Sequence, residues 1–394
     1  MCPGAGTCPR RGGTDTCPRR ERNNPVIPAA ELRRFGLPHA YAQGIPADVV
    51  HRVMGNLGED TQDDNPGRWT HEWSSLALAA EARGRDLEAV RYYTMARFPY
   101  VDGPDREAAQ RAGVEAFDRW RKRVRGISRL DLPFDGAGFA CWAAGLSQRN
   151  RLPLILVLGG ITSTKEQWAP LLADAGRLGA AVVVTELPGV GENTLTYGTD
   201  STGMLTYLVD LLGRAADASR TCVVGLSFGG HLALRHALAD NRVQGLVSAG
   251  APVRDFFIRA AHHVPLPRLM TLTLSHLTRT PVDLLPASLA DWAVEEERLS
   301  RLRTTVAYAA GRDDEIAPPS DVRLLERSVP HLRLVETGSL GGRPEQAAET
   351  RLWLLSQALR MVGTASAVRR AASARARVLR ARRRLAGTSA GAPA

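Results

Sequence analysis

The chain has 394 residues, of which 44% are hydrophobic, and this is enough for one large domain or two of ordinary size. Its 37 glycines and 24 prolines fit neither a collagen-like nor a wholly disordered chain. No uncharged apolar segment approaches the roughly 20 residues of a membrane span, and no apolar signal segment follows the N-terminal arginines. We therefore expect a cytoplasmic protein with no membrane partner.

The formal net charge of +10 is concentrated at the two ends of the chain. Residues 1–22 contribute +3 and residues 365–394, with eight arginines and no acid, contribute +8, so residues 23–364 carry 10 − 11 = −1. Low-complexity basic ends are usually solvated appendages, so we predict a disordered leader over residues 1–28 and an Arg/Ala-rich tail over residues 363–394. Because residues 23–364 are almost neutral, we expect no nucleic-acid partner.

The cysteines predict neither a metal site nor a disulfide framework. Cys2, Cys8 and Cys17 each precede a proline in the leader, and no fourth ligand lies at suitable spacing. Cys141 and Cys222 lie in apolar segments, which indicates buried thiols. No motif implies a cofactor.

The sequence predicts a helical cap domain over residues 29–127. Between Trp69 and Phe98 the apolar and aromatic residues recur at helical spacing, and Gly84 marks the turn of a helical hairpin. Another helix is expected after Pro104, through Trp120.

Residues 128–362 predict an α/β domain. A β-hairpin is expected around Asp135-Gly136, and strand-sized apolar segments then alternate with helix-length segments. This alternation predicts a mostly parallel, doubly wound sheet with helices on both faces. Residues 251–300 interrupt it and are predicted to form a lid over the carboxyl ends of the strands. The predicted strands are Leu154–Leu158, Ala181–Glu186, Thr221–Leu226, Gln244–Ser248, Thr304–Ala309 and Leu332–Val335.

A G-x-S-x-G motif centred on Ser227 follows one of these strands and opens a helix. This context is typical of a nucleophile elbow, where small glycines let the chain turn sharply and leave the serine hydroxyl exposed. The backbone N–H of Phe228, at the start of the helix, is then expected to face a developing oxyanion.

Two loops after other strands are expected to complete the site. Gly160 permits a close backbone approach, and the N–H of Ile161 is the expected second oxyanion donor, although the same loop is also compatible with a plain helix cap. Asp314 stands at a later strand end, where a carboxylate would orient a histidine. A solvated acidic turn is the alternative there.

The chain resembles the FrsA-like (fermentation–respiration switch) α/β-hydrolases, a family with a helical N-terminal cap, from about Glu31 to Leu359. The resemblance implies an α/β-hydrolase fold and cleavage of acyl or β-diketone-type bonds by Ser227, with Asp314 and a histidine. It also suggests esterases, a hydrolase of nicotine-derived ketones and fungal enzymes that shorten polyketide precursors as relatives. The matching segments are WTHEWSSLALAAEARGRDLEAVRYYTMARFP, VDGPDR, LGGITSTKEQW, LPGVGEN, GLSFGG and GRDDEIAPPSD.

The sequence departs from this family at the expected catalytic histidine. The family has a Gly-His step before a helix that begins Arg-Pro-Glu-Gln-Ala, and Leu340 occupies the histidine position here. His331 begins the last strand and is expected at the opposite end of the sheet, and His231 is expected to pack. His262 and His263 in the lid are the candidate substitute bases, although such a tandem pair is more often on the surface.

Three functions remain open, in this order. The first is a serine-type hydrolase that cleaves an ester or an activated C–C bond of a hydrophobic, polyketide-like small molecule. The second is a triad-deficient enzyme of the same fold that catalyses cyclisation, elimination or C–C bond formation in natural-product biosynthesis. The third is a non-catalytic ligand-binding protein, which would not need the elbow, the glycine pair and Asp314 together. A homodimer is compatible with the sequence, which does not determine the oligomeric state.

Overall fold

The structure is a computed structural model that describes residues 27–58, 68–312, 314–338, 343–364 and 366–389. Leu340, Asp313 and almost all of the predicted leader lie outside the described residues. Within those ranges, no helix is both long enough and apolar enough to cross a bilayer.

The predicted cap consists of five helices. Helices α3 and α4 form the predicted hairpin, and Gly84 in its turn has a φ of +69°, which glycine adopts without steric strain. Trp69 and Trp73 of α3 are fully buried and hold the hairpin against the rest of the molecule. The five helices are α1 (Ala29–Ala42), α2 (Ala47–Asn56), α3 (Trp69–Glu81), α4 (Asp86–Ala96) and α5 (Pro104–Val124).

An eight-stranded sheet follows, in the order β1-β2-β4-β3-β5-β6-β7-β8. Strand β2 is antiparallel to both of its neighbours, and every pair from β4 to β8 is parallel. Asp135 and Gly136, both with positive φ, form the predicted turn between β1 and β2. The strands are β1 (Ile127–Phe134), β2 (Ala137–Ala144), β3 (Pro153–Leu158), β4 (Ala181–Thr185), β5 (Asp217–Leu226), β6 (Val243–Ala249), β7 (Thr305–Gly311) and β8 (Leu332–Thr337).

Helices cover both faces of the sheet, as the alternating pattern predicts. In chain order they are α6 (Ala169–Ala173), α7 (Ala175–Leu178), α8 (Thr202–Leu212), α9 (Phe228–Ala237), α10 (Asp255–Ala261), α11 (Arg268–Thr278), α12 (Leu285–Leu289), α13 (Glu296–Ser300), α14 (Pro319–Ser328), α15 (Pro344–Met361) and α16 (Ser366–Ser389). Helices α10 to α13 occupy the segment predicted as the lid, and α15 follows β8.

The central strands divide their side chains between two hydrophobic cores. On β3, Ile155 and Val157 lie in a core that also contains the cap tryptophans, whereas Leu154 and Leu156 lie in a core shared with α8, α9 and the lid. This alternation follows from the two-residue period of a strand. The cap is therefore packed onto one face of the sheet and most of the lid onto the other, while Leu269 and Leu272 of α11 join the core on the cap side.

The basic C-terminal segment differs from the expected solvated tail. Residues 366–389 form α16, which packs on α15 through Ala372 and Ala376, both buried. Buried Glu349 of α15 accepts hydrogen bonds from Arg380 at 2.7 Å and Arg383 at 3.1 Å. The small alanines permit close helix packing, and the paired carboxylate fixes the contact, neither of which composition alone predicts.

Candidate active site

Ser227 lies at the sharp turn between β5 and α9. Its backbone has φ 50° and ψ −126°, a sparsely populated conformation for a residue with a side chain, and its N–H donates to the Ala249 carbonyl at 2.9 Å. A Cβ on Gly229 would collide with the carbonyl oxygen of Gly159, so the turn needs glycine there. This strained strand-to-helix turn is the geometry that a nucleophile elbow requires.

The loop after β3 lies directly beside Ser227. Leu158 of β3 is aligned with Gly225 of β5, so both strands end at the same edge of the sheet. A Cβ on Gly160 would lie 3.2 Å from the Ser227 Cβ. Phe228 is the first residue of α9, so its N–H has no acceptor within the helix. The geometry thus brings the expected oxyanion elements together.

Buried Arg97, at the end of α4, supports this loop from the cap. Its Nη1 donates to the Thr162 carbonyl at 2.8 Å, and burial lowers the pKa of Arg97 to about 10, so that it stays a cation at neutral pH. The segment that carries Arg97 is one of those by which the chain resembles its family, but no motif indicated this contact. Sequence reasoning missed this residue.

A buried ion cluster anchors the end of the same loop. Lys165 Nζ lies 3.2 Å from Glu186, 2.7 Å from Glu192 and 3.0 Å from Glu166. Arg129 also pairs with Glu192, at 2.9 Å. Burial raises the pKa of Glu186 to about 7, while the three carboxylates raise the pKa of Lys165 despite its own burial.

Asp314 follows β7 at the same edge and is half-buried. Its Oδ1 accepts the backbone N–H groups of Ile316 at 2.9 Å and Ala317 at 3.2 Å. Burial raises the pKa of the Asp314 carboxyl, and the two backbone hydrogen bonds offset part of that shift. Among the described residues, no imidazole is hydrogen-bonded to it.

One cavity of about 440 Å³ contains these elements. Its walls come from the α/β domain, from α1 of the cap, from α11 of the lid and from α15, and much of the lining is apolar. At the mouth, half-exposed Arg34 and Glu315 form an ion pair. The lining includes Gly160, Ile161, Leu226, Ser227 and Asp314, with Phe35, His39, Phe98, Leu269, Met270 and Leu354 around them.

All nine histidines of the chain are described, and among them only His39 lines this cavity. His231 is buried, with Nδ1 3.1 Å from the Pro252 carbonyl and its ring stacked on Trp292, so it packs as expected. His331 is exposed and precedes β8, at the opposite end of the sheet from Ser227. The structure does not bring His262 or His263 to the cavity, because both are exposed at the end of α10.

His39 of α1 is the second residue that sequence reasoning missed. Its ring lies against Phe98, and its Nε2 lies 3.1 Å from the Gln167 amide nitrogen. Burial, with a contribution from Arg97, lowers the pKa of His39 to about 3, so the imidazole is neutral at pH 7. Because the amide N–H donates to Nε2, the ring proton is on Nδ1. His39 is thus a neutral hydrogen-bond donor contributed by the cap.

Comparison with known proteins identifies the family. The family described as Esterase FrsA-like matches residues 59–339. Esterase FrsA of Vibrio cholerae is 24% identical over 313 residues, which are 71% of this chain and 74% of the relative. The 20-hydroxy-prefusarin hydrolase of Gibberella moniliformis is 25% identical over 232 residues, which are 50% of this chain and 55% of the relative.

A solved structure, AbyA5 wild type, is similar over almost its whole length. It is 41% identical, covers 89% of this chain and 99% of its own, and superposes with a TM-score of 0.82. The family match covers more than half of the chain. The chain therefore belongs to the FrsA-like esterase family, a group of hydrolase-type enzymes with the α/β-hydrolase fold.

Proposed function

We propose that this FrsA-like chain acts on a hydrophobic, carbonyl-bearing small molecule of the polyketide type and catalyses an elimination or cyclisation through an enolate. One observation carries the proposal. Ser227, the loop at Gly160 and half-buried Asp314 line one cavity, while no described imidazole is hydrogen-bonded to Ser227 or to Asp314. A site of this composition stabilises negative charge on a carbonyl oxygen more readily than it forms an acyl-enzyme.

The missing base argues against the ordinary serine mechanism. Without a partner that removes its proton, a serine hydroxyl is a weak nucleophile. His39 is a poor replacement, because its pKa is lowered to about 3 and its Nε2 accepts from Gln167. An oxyanion hole and a binding pocket alone still retain a factor of about 10³–10⁴ over water.

The remaining groups account for a proton transfer next to a carbonyl. The Phe228 and Ile161 N–H groups polarise the carbonyl, and Asp314 takes a proton from the adjacent carbon, so that the bonding electrons form an enolate. The enolate then re-forms the carbonyl in one of two ways. It expels a leaving group from the neighbouring carbon as an anion, which takes the proton back from Asp314, or it attacks a second carbonyl carbon, whose π electrons move to its oxygen and take that proton. Ser227 and His39 donate hydrogen bonds to the substrate.

The cavity and the relatives support a hydrophobic substrate. A volume of about 440 Å³ lies within the usual range for small-molecule sites, and Phe35, Phe98 and Met270 give it apolar walls. One relative, 25% identical over 50% of this chain, is named as a 20-hydroxy-prefusarin hydrolase, and we extend a substrate of that type to this chain as part of the proposal.

Hydrolysis of an ester or an activated C–C bond of the β-diketone type is the second candidate. Membership of a hydrolase family favours it, together with the strained Ser227 backbone. In this mechanism Ser227 attacks the carbonyl and a base must accept its proton. A water held by Asp314 would have to supply that function.

Two assays on the full-length protein distinguish the candidates. In deuterium oxide, the protein should accelerate exchange of the protons next to the carbonyl of benzylacetone, and Asp314→Asn should reduce that rate at least about tenfold. Glu326→Gln, which removes an exposed carboxylate on α14, is the matched control and should leave the rate unchanged.

The second assay is labelling by a fluorophosphonate, with turnover of para-nitrophenyl butyrate. We expect the fluorophosphonate not to label Ser227, and we expect Ser227→Ala not to change the turnover of para-nitrophenyl butyrate. Labelling of Ser227, with ester turnover that Ser227→Ala abolishes, would overturn the elimination proposal in favour of hydrolysis. Absence of both exchange and ester turnover would overturn both candidates and leave a ligand-binding protein.

A further inference from the structure

Helices α15 and α16 enclose a second groove of about 550 Å³, away from the Ser227 cavity. Its apolar lining comes from half-buried Trp353 of α15 and from Ala374 and Ala376 of α16, and Ser356, Gln357 and Ser373 add polar groups. Within the described part of the chain, no carboxylate lines it. Five arginines do, namely Arg360, Arg369, Arg370, Arg377 and Arg380.

Four of these guanidinium groups are uncompensated. Among the described residues, Arg360, Arg369, Arg370 and Arg377 form no ion pair. Arg380 is bound to Glu349 through Nε, but its Nη2 is buried without an acceptor. Four like charges around one groove repel one another, and an unsatisfied buried donor destabilises the fold. Both effects are relieved by an anion in the groove.

The arginines of the groove favour an anion with several negative charges over an anion with one. A monocarboxylate brings one negative charge, whereas a diphosphate brings about three and can accept several bidentate guanidinium hydrogen bonds. Trp353 and the two alanines offer an apolar surface beside the charges, which suits an organic group attached to the phosphates.

We propose that the groove between α15 and α16 binds the diphosphate group of a phosphorylated organic ligand, held by Arg360, Arg369, Arg370 and Arg377 over Trp353. The site is independent of the proposed reaction. The groove and the active site have no lining residue in common, since Thr350 and Leu354, on a neighbouring face of α15, line the Ser227 cavity.

Titration calorimetry of the full-length protein with inorganic pyrophosphate tests the site at physiological ionic strength. We expect saturable binding of one pyrophosphate per chain, and Arg377→Ala and Arg369→Ala should each weaken it at least about tenfold, as expected for loss of a charge-assisted contact. Arg377→Lys keeps the charge but not the guanidinium fork and should also weaken binding. Acetate should not compete.

Arg375→Ala is the matched control, because Arg375 is exposed on the same helix but does not line the groove. It should leave the affinity within about twofold, and far-ultraviolet circular dichroism should show α16 intact in all variants. Absence of saturable binding, or an equal loss from Arg375→Ala and Arg377→Ala, would overturn the proposal, since the latter indicates general attraction of a polyanion to a basic helix.

Discussion

At the scale of single residues, Ser227 and Asp314 lie in one cavity but are not connected by a histidine, as they would be in a catalytic triad. Ser227 keeps the strained backbone of a nucleophile, while Asp314 faces the cavity without the imidazole that would pass a proton between them. A carboxyl group whose pKa is raised by burial is a stronger base once ionised than an exposed one. This is the physical reason to assign the proton transfer to Asp314.

Asp314→Asn should therefore lower the enolisation activity without lowering the stability of the fold. The amide can still accept the Ile316 and Ala317 N–H groups, and it removes a carboxylate whose burial is unfavourable, so the free energy of unfolding at pH 7 should stay equal or rise. The rate of enolisation should fall at least about tenfold. Urea unfolding and the exchange assay measure the two quantities.

In the unsubstituted protein, the exchange rate should rise with pH through the raised pKa of Asp314, because only the ionised carboxylate is a base. An exchange rate that Asp314→Asn leaves unchanged, in a protein that is still folded, would exclude Asp314 as the base.

At the scale of elements, the loop after β3 depends on charges buried on both sides of it. Arg97 holds the Thr162 carbonyl from the cap, and Lys165 ties the end of the loop to Glu186 and Glu192. Breaking a buried ion cluster by removing its cation leaves carboxylates without compensation. The stability of the fold and the shape of the loop after β3 are thus linked.

Lys165→Met should lower the free energy of unfolding at pH 7 by about 3–5 kcal/mol. Lys122→Met is the matched control, because Lys122 and Lys165 are the only lysines of the chain and Lys122 is exposed, with a surface partner in Asp118. Its effect should be below about 1 kcal/mol. Urea unfolding compares the two variants.

The loss of unfolding free energy in Lys165→Met should become smaller as the pH falls below 7. Protonation of Glu186, whose pKa is raised, then removes one of the uncompensated buried negative charges from the cluster. A Lys165→Met protein as stable as the Lys122→Met protein would contradict this account.

The elements themselves were largely predictable from the sequence. The segment predicted as a strand over Thr221–Leu226 is the apolar half of β5, which begins at Asp217. The prediction began late because Ser219 and Arg220 are exposed, and exposed strand residues lack the apolar pattern on which the prediction rested. The helical state of residues 366–389 was not predicted, because it depends on packing against α15.

At the scale of the whole molecule, two neutral histidines connect stability to pH. Burial lowers the pKa of His39 and of His231 to about 3, below the value of 6.5 expected in the unfolded chain. Between these values the unfolded chain binds more protons, so each histidine contributes stability that is complete above pH 6.5 and is lost as the pH falls.

His39→Gln should consequently reduce the acid sensitivity of folding. The slope of the unfolding free energy against pH, between pH 6 and 4.5, should decrease by up to about 1.4 kcal/mol per pH unit relative to the unsubstituted protein. The exposed His331 supplies the control, since His331→Gln should leave the slope unchanged. Identical slopes for all three proteins in urea titrations would refute the burial of a neutral His39.

The sequence by itself determined the α/β fold, the helical cap and the turn at Ser227, because hydrophobic periodicity and glycine placement are local properties of the chain. Only the tertiary structure decided which side chains meet. From the cap, His39 lines the cavity at Ser227 and Arg97 binds the loop beside it. His262 and His263 remain outside, and four of the C-terminal arginines line a groove between α15 and α16. These contacts join residues distant in the chain. They depend on how the cap and the lid pack on the sheet and how α16 packs on α15, which no local pattern encodes.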